Sequence, residues 1–183
     1  MSTLPNVQFR HAGFHATDLD ALVEFYCQTL GFVRSDEGVA SFGNRIVFLT
    51  QTADEHHQLV LLDGRPDAVA FNPINQLSFR LESLAELIRF HELLVARGIG
   101  DLLPVDHGNA WSLYFRDPEQ NFLELYVDTP YYTPQPCRAP LDLTEPEEEI
   151  RRRNEELCRS RPDFATQDEW RAKIRQRIAA DRA

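Results

Sequence analysis

Lysine is almost missing from this chain. Of 183 residues only Lys173 is lysine, so no Schiff-base lysine and no phosphate-cradling P-loop lysine can lie in the first 140 residues. Cysteine is scarce and poorly spaced for chemistry. Cys27, Cys137 and Cys158 are odd in number and form no Cys-x-x-Cys pair, which argues against a disulfide framework or a thiolate zinc site and for reduced thiols in a cytoplasmic protein. No apolar run approaches the roughly 18 residues of a membrane span, and the N-terminus has neither the basic nor the apolar region of a secretory signal. Positive charge is short as well: 19 Lys plus Arg face 29 Asp plus Glu, a net charge of −10. Residues 1–140 carry 18 acids and 9 arginines, whereas 141–183 carry 11 acids and 10 bases, so the deficit belongs to the first part. A surface of that sign repels phosphate backbones and removes nucleic acid from the expected partners.

What is present is an ordinary globular composition, 43% hydrophobic and 26% charged, with the length of one domain or two small ones. A repeat organises the first 130 residues. Residues 9–32 read as a strand, a polar turn and an amphipathic helix. Leu19, Leu22, Val23, Tyr26 and Leu30 recur at helical spacing, Asp18 is placed to cap the start, and Gly31 to end it. Adding 65 pairs Phe14 with Phe79, Leu19 with Leu84, Leu22 with Leu87 and Phe25 with Phe90, and Ser83 follows as the second cap. The second helix ends at Gly98, 67 beyond Gly31, and that offset then pairs Ile46 with Leu113, Phe48 with Phe115 and Leu59 with Tyr126. Each half therefore reads as strand, helix and about three strands. A proline-rich connection follows Val127. A helix is expected after Thr144, with Thr144 as its cap and Pro146 in its first turn, and a last helix over 167–180.

Polar residues fall at related points of the repeat. His11 corresponds to Gln76 at offset 65, and His57 to Glu124 at offset 67. Two imidazoles, an amide and a carboxylate suit a divalent Fe, Mn, Ni or Zn, and two histidines with one carboxylate match the facial triad of non-haem Fe(II) oxygenases. The register leaves Gln58 as an alternative to His57, since neighbouring strand residues face opposite ways. His15 reads as structural. Trp111, Phe115, Tyr126 and Tyr131 read as core, with Trp111 the nearest of them to a cleft because it follows His107-Gly-Asn.

The stretch His11-Ala-Gly-Phe-His-Ala-Thr-Asp18-Leu, with Phe25-Tyr26 and Leu30-Gly31-Phe32, closely resembles the opening of vicinal oxygen chelate proteins. That superfamily includes glyoxalases, fosfomycin-resistance transferases and type I extradiol dioxygenases. The resemblance spans about residues 7–130. It implies an α+β fold of two tandem βαβββ modules (1–66 and 67–130) forming a half-open barrel around one metal, followed by a connection and helical extension at 131–183. The run from Val105 to Glu124 resembles the extradiol signature, with a histidine, five residues, an apolar-Tyr pair, Asp117-Pro118 and then a glutamate. By that resemblance His107 is the acid/base, Tyr114 a hydrogen-bond donor to the substrate or a ring-opened intermediate, and Glu124 an iron ligand. The chain departs from the pattern twice: Gln120 stands where the turn usually has glycine, and Gln76 where extradiol enzymes have their second histidine. The metal ligands implied are thus His11, His57, Gln76 and Glu124, with Fe(II) favoured over Mn(II), Ni(II) or Zn(II). The expected activity is cleavage of a catecholic substrate. A glyoxalase-like isomerase or lyase, and a metal-free binding protein of the resistance type, stand as alternatives. The expected partners are a small-molecule substrate and a second copy of the chain, with no membrane.

Overall fold

A computed structural model describes residues 8–67 and 74–181. The N-terminal segment 1–7 and the segment 68–73, beside the expected module boundary, lie outside the described residues. The chain divides into two compact units, one holding 8–67, 74–75 and 116–122 and the other 76–115 and 123–181. No helix among the described residues is long and apolar enough to cross a membrane.

The first unit runs β1 (Ala12–His15), α1 (Leu19–Leu30), β2 (Val33–Val39), β3 (Arg45–Thr50) and β4 (Leu59–Leu62). Its sheet has the order β1-β4-β3-β2, with β1 parallel to β4 and the other pairs antiparallel. A parallel neighbour cannot be reached by a tight hairpin, so the chain returns through α1 and two further strands. Local signals set the limits of α1: the Asp18 side chain accepts from the Ala21 amide, and Gly31 takes φ 75° and ends the helix. The stripe Leu19, Leu22, Val23, Tyr26 and Leu30 is buried with Phe14, Phe32, Val47, Leu49, Leu59 and Leu61. Each such side chain contributes roughly 1.5–3 kcal/mol on burial.

The second unit repeats this plan with β5 (Leu77–Arg80), α2 (Leu84–Ala96), β6 (Leu103–Asp106), β7 (Ala110–Arg116) and β8 (Phe122–Asp128). Ser83 caps α2 by accepting from Glu86. The sheet order is β10-β6-β7-β8-β5, the first member being β10 (Ala139–Pro140) from the tail, antiparallel to β6. The proline-rich stretch is therefore part of the unit's sheet structure and not a free connection. It also contains β9 (Tyr131–Tyr132), which pairs with β11 (Ala165–Thr166). Two helices complete the tail, α3 (Glu147–Arg159) and α4 (Gln167–Asp181). The expected cap of α3 is corrected: Pro146 holds the cap position, and the Thr144 hydroxyl instead donates to Asp142 Oδ1 at 2.6 Å.

The strand registers also correct the repeat. Gly13 stands opposite Val60 and Ser78 opposite Glu124, so Glu124 answers to Val60 at offset 64, and Leu59 answers to Leu123 in place of Tyr126. The cause is loop length. Eight residues, 51–58, separate β3 from β4, whereas five, 117–121, separate β7 from β8. His57 lies in the longer loop ahead of β4 and is not the counterpart of Glu124.

The turn 117–121 is tightly organised. Asp117 Oδ1 accepts from the amides of Glu119 and Asn121, both at 2.9 Å, and Oδ2 accepts from Asn121 Nδ2 at 2.7 Å and the Tyr26 hydroxyl at 3.2 Å. Burial pushes both the Asp117 carboxyl and the Tyr26 phenol up, so Tyr26 remains the donor of this pair. Glu119 Oε1 accepts from the amides of Thr17 and Asp18, at 2.6 and 2.7 Å, at the entrance to α1. An anion is favoured there by the orphan N–H groups and the helix dipole. Gln120 occupies this turn with φ 65°, the left-handed conformation that suits glycine. Gln120→Gly is expected to raise stability by about 0.5–1 kcal/mol, as read from urea denaturation; an unchanged or lower midpoint would refute strain at this position.

Candidate active site

The second unit brings together His107, Tyr114, Glu124, Gln76 and a serine that sequence reasoning missed. Parallel pairing sets Ser78 directly opposite Glu124. Ser78 Oγ donates to Glu124 Oε2 at 2.5 Å, and Gln76 Nε2, one residue before β5, donates to the same oxygen at 2.8 Å and to Ser78 Oγ at 2.9 Å. Ser78 had a sequence signal, since a residue two beyond Gln76 shares its face of an extended chain. Glu124 is buried at 8% exposure, and among the described residues no lysine or arginine forms an ion pair with it. A buried carboxylate without a cationic partner is costly unless a cation comes to it.

His107 occupies the turn between β6 and β7. Its Nδ1 lies 2.7 Å from the Cys137 carbonyl oxygen and its Nε2 2.9 Å from the Tyr114 hydroxyl. A carbonyl oxygen only accepts, so Nδ1 carries a hydrogen, which in the neutral ring leaves Nε2 bare beside the Tyr114 hydroxyl. Tyr114 is hydrogen-bonded to Glu124 as well. Burial first, then this hydrogen bond and the charge of Glu124, push the phenol up to about 12, so it remains protonated at neutral pH. His107, Tyr114 and Glu124 thus form a chain of hydrogen-bonding groups. Beside it lies a cavity of about 320 Å³ lined by Ser78, His107, Asn109, Glu124, Tyr126 and Gln135, among others. Tyr126, expected in the core, therefore faces open space. Trp111 points the other way, as its odd spacing from Tyr114 on β7 requires; it is 1% exposed, with the Arg151 guanidinium 5.4 Å from its ring centre.

The turn that carries His107 depends on glycine. Gly108 has φ 76°, and a Cβ there would lie 2.3 Å from Thr133 Cγ2. Its amide donates to Asp106 Oδ1 at 2.6 Å, while its carbonyl accepts from Thr129 Oγ1 at 2.6 Å, Asn154 Nδ2 at 2.9 Å and Cys158 Sγ at 3.3 Å.

In the first unit His11 and His57 come together, with ring centres 4.4 Å apart. The longer loop reaches residue 10 through an Arg10–Glu55 ion pair. Burial first, and then the closeness of two other imidazoles, lower the His57 pKa and so favour the neutral ring that binds metals. His57 Nδ1 also lies 2.9 Å from His56 Nδ1. Gln58, the alternative to His57, spends its side-chain oxygen on the Gln51 amide at 2.8 Å. His15 Nδ1 lies 3.4 Å from the Asp63 carbonyl oxygen.

Taken unit by unit, the His11–His57 pair and the buried Glu124 carboxylate are each donor types that divalent metals take. Gln76 presents its N–H to that carboxylate. Among the described residues no three His, Cys, Asp or Glu side chains gather as a ready metal site.

Comparison with known proteins adds to this geometry. The family model described as the Glyoxalase/Bleomycin resistance protein/Dioxygenase superfamily matches residues 8–125. Biphenyl-2,3-diol 1,2-dioxygenase 2 of Rhodococcus globerulus is 31% identical over 137 residues, covering 72% of this chain and 68% of its own. Biphenyl-2,3-diol 1,2-dioxygenase 3 of the same organism is 32% identical over 130 residues, covering 68% and 65%. Among solved structures, a glyoxylase/bleomycin resistance protein/dioxygenase domain from Frankia sp. EAN1pec superposes with a TM-score of 0.55 at 22% identity over 69% of this chain and 100% of that one. The fosfomycin resistance protein FosX from Listeria monocytogenes, complexed with Mn(II) and sulfate, gives 0.53 at 18% identity over 68% and 95%. The structural likenesses concern the fold.

Replacing Gly108 with alanine is expected to cost at least about 2 kcal/mol, from the positive φ together with the close approach of Thr133. A thermal melt within a degree or two of wild type would contradict that.

Proposed function

The chain belongs to the Glyoxalase/Bleomycin resistance protein/Dioxygenase superfamily, and on that premise we propose that it is an extradiol-type dioxygenase that opens the ring of a catecholic substrate. One observation carries the reading: the Tyr114 hydroxyl lies within hydrogen-bonding reach of both His107 Nε2 and Glu124 beside the cavity, so its one hydrogen can serve either. The relationship to two biphenyl-2,3-diol dioxygenases supports it. In this reading Glu124 is the anionic ligand of a divalent metal, Fe(II) first, and His11 and His57 are its imidazole ligands. Gln76 either ligates through its amide oxygen or holds Glu124 in position through its amide nitrogen. When bound, such a metal acts as a Lewis acid and a template for vicinal oxygens and O₂.

The protein's own groups supply the proton chemistry. His107 Nε2, bare in the neutral ring, accepts a proton from a substrate hydroxyl and later returns it to the opening ring. Tyr114, kept protonated by its surroundings, donates a hydrogen bond to an oxygen that gains charge. Ser78 and Gln76 keep the Glu124 carboxylate from rotating.

The decisive assay loads the protein anaerobically with Fe(II), then admits oxygen with a panel of catechols that includes biphenyl-2,3-diol. A yellow ring-fission product is expected; bound iron with no product from any member of the panel would sink the reading. His107→Ala is expected to lower kcat by roughly 10²–10⁴-fold.

Gln76 favours a second reading, a glyoxalase-like isomerase or lyase on Ni(II), Zn(II) or Mn(II), because an amide beside a carboxylate departs from the extradiol set. Metal content decides between the two. Under the dioxygenase reading, Gln76→His should raise Fe(II) affinity and Glu124→Ala should abolish it, both followed by elemental analysis of the dialysed protein. Nickel or zinc in the protein as purified, unmatched by iron, would favour the isomerase.

A further inference from the structure

We propose that the segment following β8 is the mount of His107, and that Gln135 is its positioning residue, holding the ring in the Nδ1–H tautomer with Nε2 as the proton acceptor. The inference deepens the reading above, because it gives His107 the role of base, but the structural argument stands on hydrogen bonds alone. The Nδ1 contact has two ends, and one side chain grips both. Gln135 Nε2 donates to the His107 main-chain carbonyl at 2.8 Å, and Gln135 Oε1 accepts from the Cys137 main-chain amide at 2.9 Å. The Cys137 carbonyl, belonging to the same residue as that amide, lies 2.7 Å from His107 Nδ1. Gln135 Nε2 also approaches Asn109 Oδ1 at 3.1 Å and Thr133 O at 3.2 Å, so the amide group is fixed in plane and its oxygen and nitrogen cannot exchange places without breaking several bonds.

The opposite side of the turn is fixed independently. Asn154 Nδ2, fully buried on α3, lies 2.9 and 3.1 Å from the two Asp106 carboxylate oxygens and 2.9 Å from Gly108 O. The backbone on both sides of His107 is thereby held by residues that lie outside the βαβββ plan. A neutral imidazole has one N–H, and whichever acceptor takes that hydrogen decides which nitrogen is basic. Here a main-chain carbonyl takes it. Without Gln135 the Cys137 carbonyl is no longer tied to the His107 backbone, and the ring can turn its hydrogen toward the cavity, where it no longer serves as a base.

Nitrogen-15 NMR of the full chain with labelled histidine, at a pH where the ring is neutral and with His107 assigned by loss of its signals in His107→Gln, reads the tautomer directly. Wild type should show a protonated Nδ1 and a bare Nε2 for His107. Gln135→Ala should shift both signals toward a mixture of tautomers. Gln135→Glu, which keeps the acceptor for the Cys137 amide and loses the donor to His107, should fall between them. With ring cleavage as the readout, Gln135→Ala should lower kcat by about 10- to 100-fold while KM stays within about threefold, as expected for a misplaced base. A protonated Nε2 in wild type overturns the proposal, and so does an unchanged pattern in Gln135→Ala. Gln135 is exposed, so its variants should fold; if neither does, the wild-type tautomer still decides. Absence of ring cleavage together with the expected tautomers would discard the dioxygenase and keep the mount. Ring cleavage with an unmoved tautomer would do the reverse.

Discussion

In each unit the first strand and the last strand lie side by side and run the same way, and most of what matters in this protein follows from that pairing. A parallel partner must be approached from the far end, so a helix and two strands are spent on the return journey. Those are the elements that bury Leu22 and Tyr26 in one unit and Leu84, Leu87 and Leu113 in the other. The pairing also sets residues on neighbouring strands shoulder to shoulder. Ser78 faces Glu124 because of it, with no residue of either loop involved. The sheet's own register thus supplies one of the groups that hold the carboxylate, and Gln76, just ahead of the strand, adds a second.

Signals that operate within one turn of chain were legible in the sequence. Asp18 and Ser83 cap their helices and Gly31 ends the first, as their neighbours dictate. Signals that depend on distance were not. A constant offset of 67 carried the repeat past β3, but the loop after it is three residues longer than its counterpart, and nothing in an apolar pattern reports a loop's length. His57 and His11 nevertheless end up as neighbours, by way of that loop and not by repeat symmetry. Thr144 failed as a cap for a related reason: Asp142 offers its hydroxyl a partner two residues away, and the competition between the two is invisible in residue types. The contacts of the tail were the least legible. They use the main-chain carbonyls of Cys137 and Gly108, which carry no sequence signature at all.

The Asp117-Pro118 pair shows how a motif can be specific for a fold and uninformative about a reaction. Asp117 spends its carboxylate on two amides, an asparagine and the Tyr26 hydroxyl, and the next acid, Glu119, closes the entrance of α1. Both are structural tasks. They explain why such a turn suits this architecture whatever its cleft does.

The Gly108 carbonyl accepts from Thr129, Asn154 and Cys158, which lie 21, 46 and 50 residues further along the chain. One peptide oxygen thus ties two separate stretches of the chain, the residue after β8 and the helix α3, to the turn that carries the histidine. For recombination between relatives, this moves the cutting point. A graft that ended at Asp128, where the repeated pattern stops, would transfer His107, Tyr114 and Glu124 intact and leave behind the Gln135, Cys137 and Asn154 contacts that hold the imidazole's turn. The transferable piece therefore extends through α3, well past the last residue the repeat would have included.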